Sequence, residues 1–394
     1  MKSISRLLLV GAIVLLGACG GPAPETAPAP AEAPKPAAPA TYSMEDFRSV
    51  RKLDAHVHMN VVGPAFLEQA REDGFELMTI NVDYPDFPRL ADQRAAALTQ
   101  LHADPARVHW ATTFSMQGFG KRGWADKVNA ALAADAEQGA KAVKIWKNVG
   151  MKERDASGKL IFLDNPALSP VADQVQKLGL TLIGHQAEPY NCWLPLDQMT
   201  TDNDREYFKE HPQYHMYLHP EMPSYEDQIK ARDNFVAAHP GLRFVGAHLG
   251  SLEYDVDRIA AFLDRFPNAN VDMAARMSQV QYQSVRNYDK VRNFFIQYQD
   301  RLLYGTDLTL NPGSASPDGG AAEFKHEAHE VWTQDWRYLA TAESQRVEII
   351  KADVPGLALP REVIDRIYYL NADRAFALGN ADRAFALGNS ARAP

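Results

Sequence analysis

Twelve histidines occur in this 394-residue chain, and their place relative to apolar runs is the first chemical signal. His56 and His58 lie in Leu53-Asp54-Ala55-His56-Val57-His58. On a strand, residues two apart share a face, so these imidazoles point the same way. His185 closes Thr181-Leu182-Ile183-Gly184-His185. His248 closes Phe244-Val245-Gly246-Ala247-His248, and Asp307 closes Leu302-Leu303-Tyr304-Gly305-Thr306-Asp307. The small residues Ala55, Gly184, Ala247 and Thr306 stand just before them and leave room for close approach. One His-x-His pair carries little weight alone. Five ligand-type side chains at strand ends point to a metal. Imidazole with one carboxylate suits zinc, and a catalytic zinc site keeps a position for water.

The elements that must position these groups are short apolar runs alternating with helical patterns from residue 50 to 307. The predicted strands are Lys52–His58, Glu76–Val82, Val108–Phe114, Ala142–Trp146, Leu180–His185, Arg243–His248, Asn270–Met273 and Leu302–Thr306. Each is rich in branched or aromatic residues and bounded by turn formers. The predicted helices are Asp86–Ala103, Lys121–Gln138, Pro166–Leu178, Ser224–Ala238, Leu252–Phe266 and Ser284–Gln299. Strands alternating with helices make parallel β/α units, and eight of them close a barrel. The fold class is therefore α/β, a (β/α)8 TIM barrel with inserted lid loops. An open doubly wound sheet would want a Gly-rich phosphate turn after the first strand, and His56-Val57-His58-Met59-Asn60 is none. On this count the five side chains end strands 1, 5, 6 and 8. Two insertions break the alternation: a hairpin over Gly150–Leu163, turning at Ser157-Gly158, and an excursion over Glu188–Pro223. Both are lid candidates, and specificity is placed in them. The Gly/Ser/Pro-rich segment Leu310–Gly320 is read as mobile.

These motifs resemble the amidohydrolase superfamily, within it the amidohydrolase-related group of metal-dependent hydrolases and aminocarboxymuconate-semialdehyde-type decarboxylases. The resemblance rests on the His56/His58 pair, His185, His248 in GAHLG and Asp307 in YGTD. Arg232-Asp233-Asn234-Phe235 through His239-Pro240, and Tyr369–Leu378, also look like that group, and the likeness spans about residues 50–380. It implies a barrel with one divalent metal, usually zinc, held by His56, His58, His185 and Asp307. His248 is then a catalytic group beside the ligands. Metal lowers the pKa of bound water towards about 7. Asp307 would take the water's proton and pass it to the leaving group, while His248 polarises the carbonyl or holds the oxyanion. Ligation needs neutral imidazole, so activity should fall as pH drops through about 6.5.

Lys144 lies on strand 4, where two-metal members of the superfamily carry a carbamylated lysine. Two ions are expected only if Lys144 is so modified; the preferred reading is a lysine at the barrel mouth contacting the substrate or a carboxylate. Lys147 and Arg276 are candidate substrate-carboxylate binders. The resulting expectation is a hydrolase of a small amide, lactone or ester. The alternatives are a decarboxylase built on the same site, and a lipoprotein that only binds a ligand. His211, His215 and His219 are four apart, but Pro212 and Pro220 flank them, and a solvated lid is preferred to a second metal. His326-Glu327-Ala328-His329 is one residue short of the spacing that puts two imidazoles at i, i+4. Cys192 lacks a paired base.

Composition limits the other partners. The chain has 41 Lys+Arg and 50 Asp+Glu, a net charge of −9, and no basic run to bind nucleic acid. Hydrophobic residues at 46% exclude a disordered chain. Lys2 and Arg6 precede the apolar run Leu7–Leu16, too short for a membrane span of about 20 residues. Leu16-Gly17-Ala18-Cys19 resembles a bacterial lipobox, which implies cleavage before Cys19 and its acylation. Gly20 is not the Asp of inner-membrane retention, so in a Gram-negative cell the outer membrane, facing the periplasm, is favoured. The expected layout is a signal peptide at 1–18, the lipidated Cys and a Pro/Ala-rich linker at 19–42, the barrel at 43–379, and an extension at 380–394. With Cys19 acylated, Cys192 has no partner and no disulfide is expected. NADRAFALG occurs twice, at Asn371–Gly379 and Asn380–Gly388. Nine residues turn a helix about 900°, at roughly 100° each, so the copies cannot dock alike. The first is expected to end the last helix and the second to extend beyond it. The substrate is small; the sequence sets no oligomeric state.

Overall fold

Short runs of branched and aromatic residues between turn formers become strands. The computed structural model describes residues 41–313 and 320–379. Its main sheet contains β1 (Lys52–Met59), β2 (Phe75–Ile80), β3 (Val108–Thr113), β4 (Ala142–Ile145), β5 (Thr181–Gly184), β6 (Phe244–Gly246), β7 (Ala269–Asp272), β8 (Leu302–Leu303) and β9 (Thr309–Leu310). Their order is β8-β7-β6-β5-β4-β3-β2-β1-β9 and every pair is parallel. The expected eighth strand, Leu302–Thr306, is instead two short pieces on one segment, because the chain turns at Asp307, where φ is +70°. That segment joins the two sheet edges. On one side Met273 N donates to Leu303 O (3.1 Å). On the other Ala55 N donates to Tyr304 O (2.9 Å) and Asp307 N to His56 O (2.8 Å). The ring closes as a (β/α)8 barrel.

Leu53, Ala55, Met78, Ile80, Ala111, Ala142, Ile183, Val245, Ala247 and Leu303 form a buried cluster inside the ring. Tyr369, Ala372, Ala375 and Phe376 join it. Thr181 Oγ1, at the start of β5, donates to Ala375 O (2.5 Å). The first copy of the repeat therefore closes the floor of the barrel. Its second copy, the signal segment, Cys19, the linker to residue 40 and most of the segment read as mobile lie outside the described residues.

Helices Leu90–Ala103, Trp124–Glu137, Ser169–Lys177, Tyr225–Ala238 and Val256–Arg265 lie at the predicted positions. The predicted helix Ser284–Gln299 is really two, Met277–Arg286 and Tyr288–Gln297. Asn287 separates them, and its side chain accepts from Lys290 N (3.1 Å). An Asn competes with the backbone ladder and starts a helix better than it continues one.

The first insertion forms its hairpin, with an antiparallel bridge between Arg154 and Leu160 and Gly158 at φ +84°. The second folds into 3-10 turns and one helix, Asp202–Glu210. Cys192, Met199, Phe208 and Met216 give it an apolar cluster of its own. This corrects the picture of a solvated lid: His215 is buried and its Nε2 bonds Leu194 O (2.8 Å), while His211 ends the helix Asp202–Glu210 and His219 ends the turn Met216–Leu218. The Cys192 thiol is buried, which pushes its pKa up, and it donates to Tyr214 O (3.1 Å). Such a thiol is inert.

Candidate metal centre

The inward aim of His56 comes from a fault in the strand. Leu53 and Ala55 belong to the cluster inside the ring, whereas Val57 and Met59 pack in the layer between ring and helices. Simple alternation from Ala55 would send His56 outward. The β1–β2 register shifts between Asp54 and Val57. A bulge of this kind resets the alternation and re-aims side chains beside functional sites. His56 and His58 then both face the mouth of the barrel.

Their ring nitrogens are committed in a consistent way. His58 Nδ1 donates to Ile80 O (2.7 Å), and His248 Nδ1 donates to Ala274 O (2.8 Å). A carbonyl can only accept, so the proton is assigned to Nδ1 in both rings. His56 Nδ1 donates to Asp272 Oδ2 (2.9 Å). The Nε2 atoms then carry no proton and can only accept, that of His56 from Lys144 Nζ (3.2 Å). Those of His56 and His58 lie 3.5 and 3.2 Å from Asp307 Oδ1, itself an acceptor. The ligand atoms of His56, His58 and Asp307 fall within 4.8 Å of one another. Three acceptors facing each other need a cation between them. Lys144 Nζ, 3.2 Å from His56 Nε2, brings positive charge to the same spot.

His185 stands outside that trio. Its ring centroid is 4.1 Å from His248, which is 4.9 Å from His56. Both His185 ring nitrogens are buried without a hydrogen-bond partner. An orphaned buried polar atom is costly, and two on one ring mark donor atoms kept for something bound. Burial lowers the pKa of His56, His185 and His248, with nearby positive charge acting in the same direction. Burial also brings Lys144 down to about 8. At Asp307 burial raises the pKa, but the positive charge of Lys144 lowers it, as does any proton gained by His58 or His56. The carboxyl is held well below the usual range. Neutral imidazoles beside an ionised carboxylate are the protonation state that ligation requires.

The backbone is strained where these groups sit. Just past β5, β6, β7 and β8, Ala187, His248, Ala275 and Asp307 have φ of +67°, +58°, +54° and +70°. Non-glycine residues adopt this conformation only when their surroundings enforce it. For the run His248–Ser251 the enforcing contacts are visible. His248 N donates to Asp272 Oδ1 (2.8 Å), Ser251 Oγ donates to Gln186 O (2.5 Å), and buried Arg232 donates to Gly250 O. The Arg232–Phe235 motif thus serves to clamp the GAHLG turn.

Sequence reasoning missed two carboxylates. Asp272 links His56 to the His248 backbone, as above. Asp54 accepts from Thr306 N (3.0 Å), Thr306 Oγ1 (2.6 Å) and Trp332 Nε1 (2.9 Å), and so fastens Asp307's strand beside β1. Burial raises Asp54 to about 7. Both were signalled: Asp54 stands two residues before His56, and Asp272 ends its strand as Asp307 was read to end strand 8. Of the other candidates, Lys147 is ion-paired with Glu188 rather than free. Arg276 Nη1 donates to Ala275 O (2.9 Å), and its buried Nε has no partner. His329 pairs with Asp73 (2.9 Å) on the helix Gly320–Ala340.

Several solved structures are similar. A 2,6-dihydroxybenzoate decarboxylase from Rhizobium is 15% identical, with a TM-score of 0.49 over 84% of this chain and 99% of that one. A dihydroxybenzoic acid decarboxylase from a Polaromonas species, with bound manganese and 2-nitroresorcinol, is 13% identical (TM-score 0.48, 84% and 98%). A probable 2-pyrone-4,6-dicarboxylic acid hydrolase from Acinetobacter baumannii is 11% identical (TM-score 0.45, 83% and 99%). No curated protein matches the sequence. The family described as Amidohydrolase matches residues 28–378. Since that match crosses every strand of the barrel, the chain belongs to the amidohydrolase family.

Proposed function

We propose that this enzyme is a metal-dependent hydrolase of a small amide, lactone or ester. One divalent ion, zinc by the imidazole-rich donor set, is held by His56, His58, His185 and Asp307. The observation that carries the reading is the meeting of two proton-free Nε2 atoms and a carboxylate oxygen at one point. A bound divalent ion there supplies a water acidic enough to ionise near neutral pH, and polarises a carbonyl oxygen.

The chain's own groups handle the protons. Asp307 enters as a carboxylate, so it accepts a proton and returns it to the departing amine or alkoxide. His248 enters neutral, with Nδ1–H committed to Ala274 O. Its Nε2 is therefore an acceptor first, and donates to an oxyanion only after gaining a proton. This refines the sequence expectation of a direct donor.

The test is metal content per chain beside a screen of small esters, lactones and amides, for the wild type and His56→Ala. The expected result is one ion in the wild type and none, with no turnover, in the variant. Unchanged metal content in the variant would end the proposal. Two ions would require a carbamylated Lys144, whereas one leaves it an ammonium against His56. Full metal with no turnover would favour a ligand-binding role. A decarboxylase is the second reading, favoured by Lys144 and by Arg276, whose charge bears on His185 and His248. Both would suit a substrate carboxylate. Carbon dioxide release without net hydrolysis would select it.

We also propose that the chain is anchored to the bacterial envelope through acylated Cys19, facing the periplasm. The lipobox-like Leu16-Gly17-Ala18-Cys19 supports this. Labelled palmitate should enter the wild type and not Cys19→Ala; labelling of both would exclude Cys19 as the site.

A further inference from the structure

Beside the metal centre is a second space, and its walls are not those of a site for a small polar molecule. The cavity measures about 390 Å³, in the range that holds drug-sized ligands. Tyr84, Phe87 and Trp146 form its barrel-side wall, and Tyr207, Tyr214 and Met216 come from the Glu188–Pro223 insertion. The wall abuts the histidines: Phe87 lies 5.1 Å from His58 and Trp146 6.3 Å from His185, between ring centroids. Tyr84 and Trp146 pack at 4.2 Å. On the lid, Tyr207 and Tyr214 lie nearly parallel, 7° apart, and are 46% and 36% exposed. Large exposed aromatics cost apolar hydration unless something covers them.

Charge narrows the occupant. Asp86, Glu188 and Glu221 face the cavity with Lys147 and Lys152. Glu188 is paired with Lys147, and Glu221 with His219 (3.3 Å). Lys147 also lies over the Trp146 ring (5.1 Å) and Lys152 over Tyr84 (4.5 Å). The protein's own ammonium groups already cover those aromatic faces, so a ligand cation finds neither ring open to it. The three carboxylates against two ammoniums give an anion no net attraction. What remains favourable is a neutral, flat, apolar group, for which several rings offer edges and faces.

We propose that this cavity is the specificity subsite of the metal centre and takes an uncharged aromatic group of about two fused rings, carried by the substrate on the far side of Phe87 and Trp146 from the reacting bond. The proposal rests on the hydrolase reading, which it narrows to aryl-bearing amides, esters or lactones. The lid insertion then acts as the selecting element, because two of the five aromatic rings, Tyr207 and Tyr214, come from it.

The test uses metal-loaded protein and 2-naphthol as the probe, with binding read by calorimetry and metal content measured on the same samples. Tyr207→Ala and Tyr214→Ala change exposed lid residues and should leave the metal content unchanged. Each should weaken 2-naphthol about three- to tenfold, the scale of one lost aromatic contact. 2-Naphthoate should bind no better than 2-naphthol. Three results would overturn the proposal: no 2-naphthol binding to protein that carries its metal, equal binding by both variants and wild type, or a clear preference for 2-naphthoate. Because the readout is binding, it stands apart from turnover. Loss of metal or of hydrolysis strikes the proposed function, whereas failure of 2-naphthol on metal-loaded protein strikes the subsite alone.

Discussion

Replacing Asp307 by asparagine should abolish metal binding and turnover while leaving the metal-free fold close to wild-type stability, since the amide loses the attraction of Lys144 but can donate to an imidazole. The side chain keeps its shape but loses its charge. In the wild type, Asp307 Oδ1 faces the proton-free Nε2 atoms of His56 and His58 at 3.5 and 3.2 Å, acceptor against acceptor. An amide NH2 at that position donates to an imidazole and relieves the conflict. Loss of the carboxylate should lower kcat/KM by at least about a thousandfold, the scale seen when preorganised groups are removed from a reacting centre. Elemental analysis gives the first readout, and thermal unfolding of chelator-treated samples gives the second. Full metal in the variant, or a fall of several degrees in its metal-free Tm, would show that Asp307 is a structural residue.

That opposition of acceptors explains why the site is legible in the sequence. Groups kept at strand ends for a ligand cannot satisfy one another, so they stand out as polar residues closing apolar runs. His56, His58, His185, His248 and Asp307 all carried that mark. The strands were legible for a related reason: buried on both faces, they are nearly continuous apolar runs. The unread parts depend on contacts between residues distant in sequence. The bulge that turns His56 inward is a property of how β1 pairs with β2. The clamp of Arg232 on Gly250 spans two elements, and the break at Asn287 reflects one cap winning over helical continuity. Even the split of the eighth strand follows from Asp307 adopting a left-handed turn that hydrophobic pattern does not encode. Lid residues such as His215 looked solvated because the insertion's own small core is assembled from single residues spaced along the segment.

Asp272 is the buried carboxylate through which fold and site meet, and its removal should be felt in both. One oxygen accepts from His56 Nδ1 (2.9 Å), and the other accepts from the backbone N–H groups of His248 (2.8 Å) and Ala274 (3.2 Å). The first contact fixes the His56 tautomer that leaves Nε2 unprotonated, and a carboxylate behind a ligating imidazole raises its basicity. The second holds His248 at φ +58°. Asparagine and alanine separate the two duties. Asp272→Asn can keep the backbone acceptor but presents a neutral amide to Nδ1, so metal affinity should fall about 10- to 100-fold with little change in Tm. Asp272→Ala loses the backbone bonds as well and leaves two buried N–H groups unsatisfied. It should be less stable than the asparagine variant by roughly 1–3 kcal/mol for each. Chelator competition measures the first effect and thermal unfolding the second. With Co(II) in place of the native ion, the ligand-field bands should shift in Asp272→Asn if His56 has changed its hold on the metal. Unaltered bands with unaltered affinity would confine Asp272 to bracing the His248 turn.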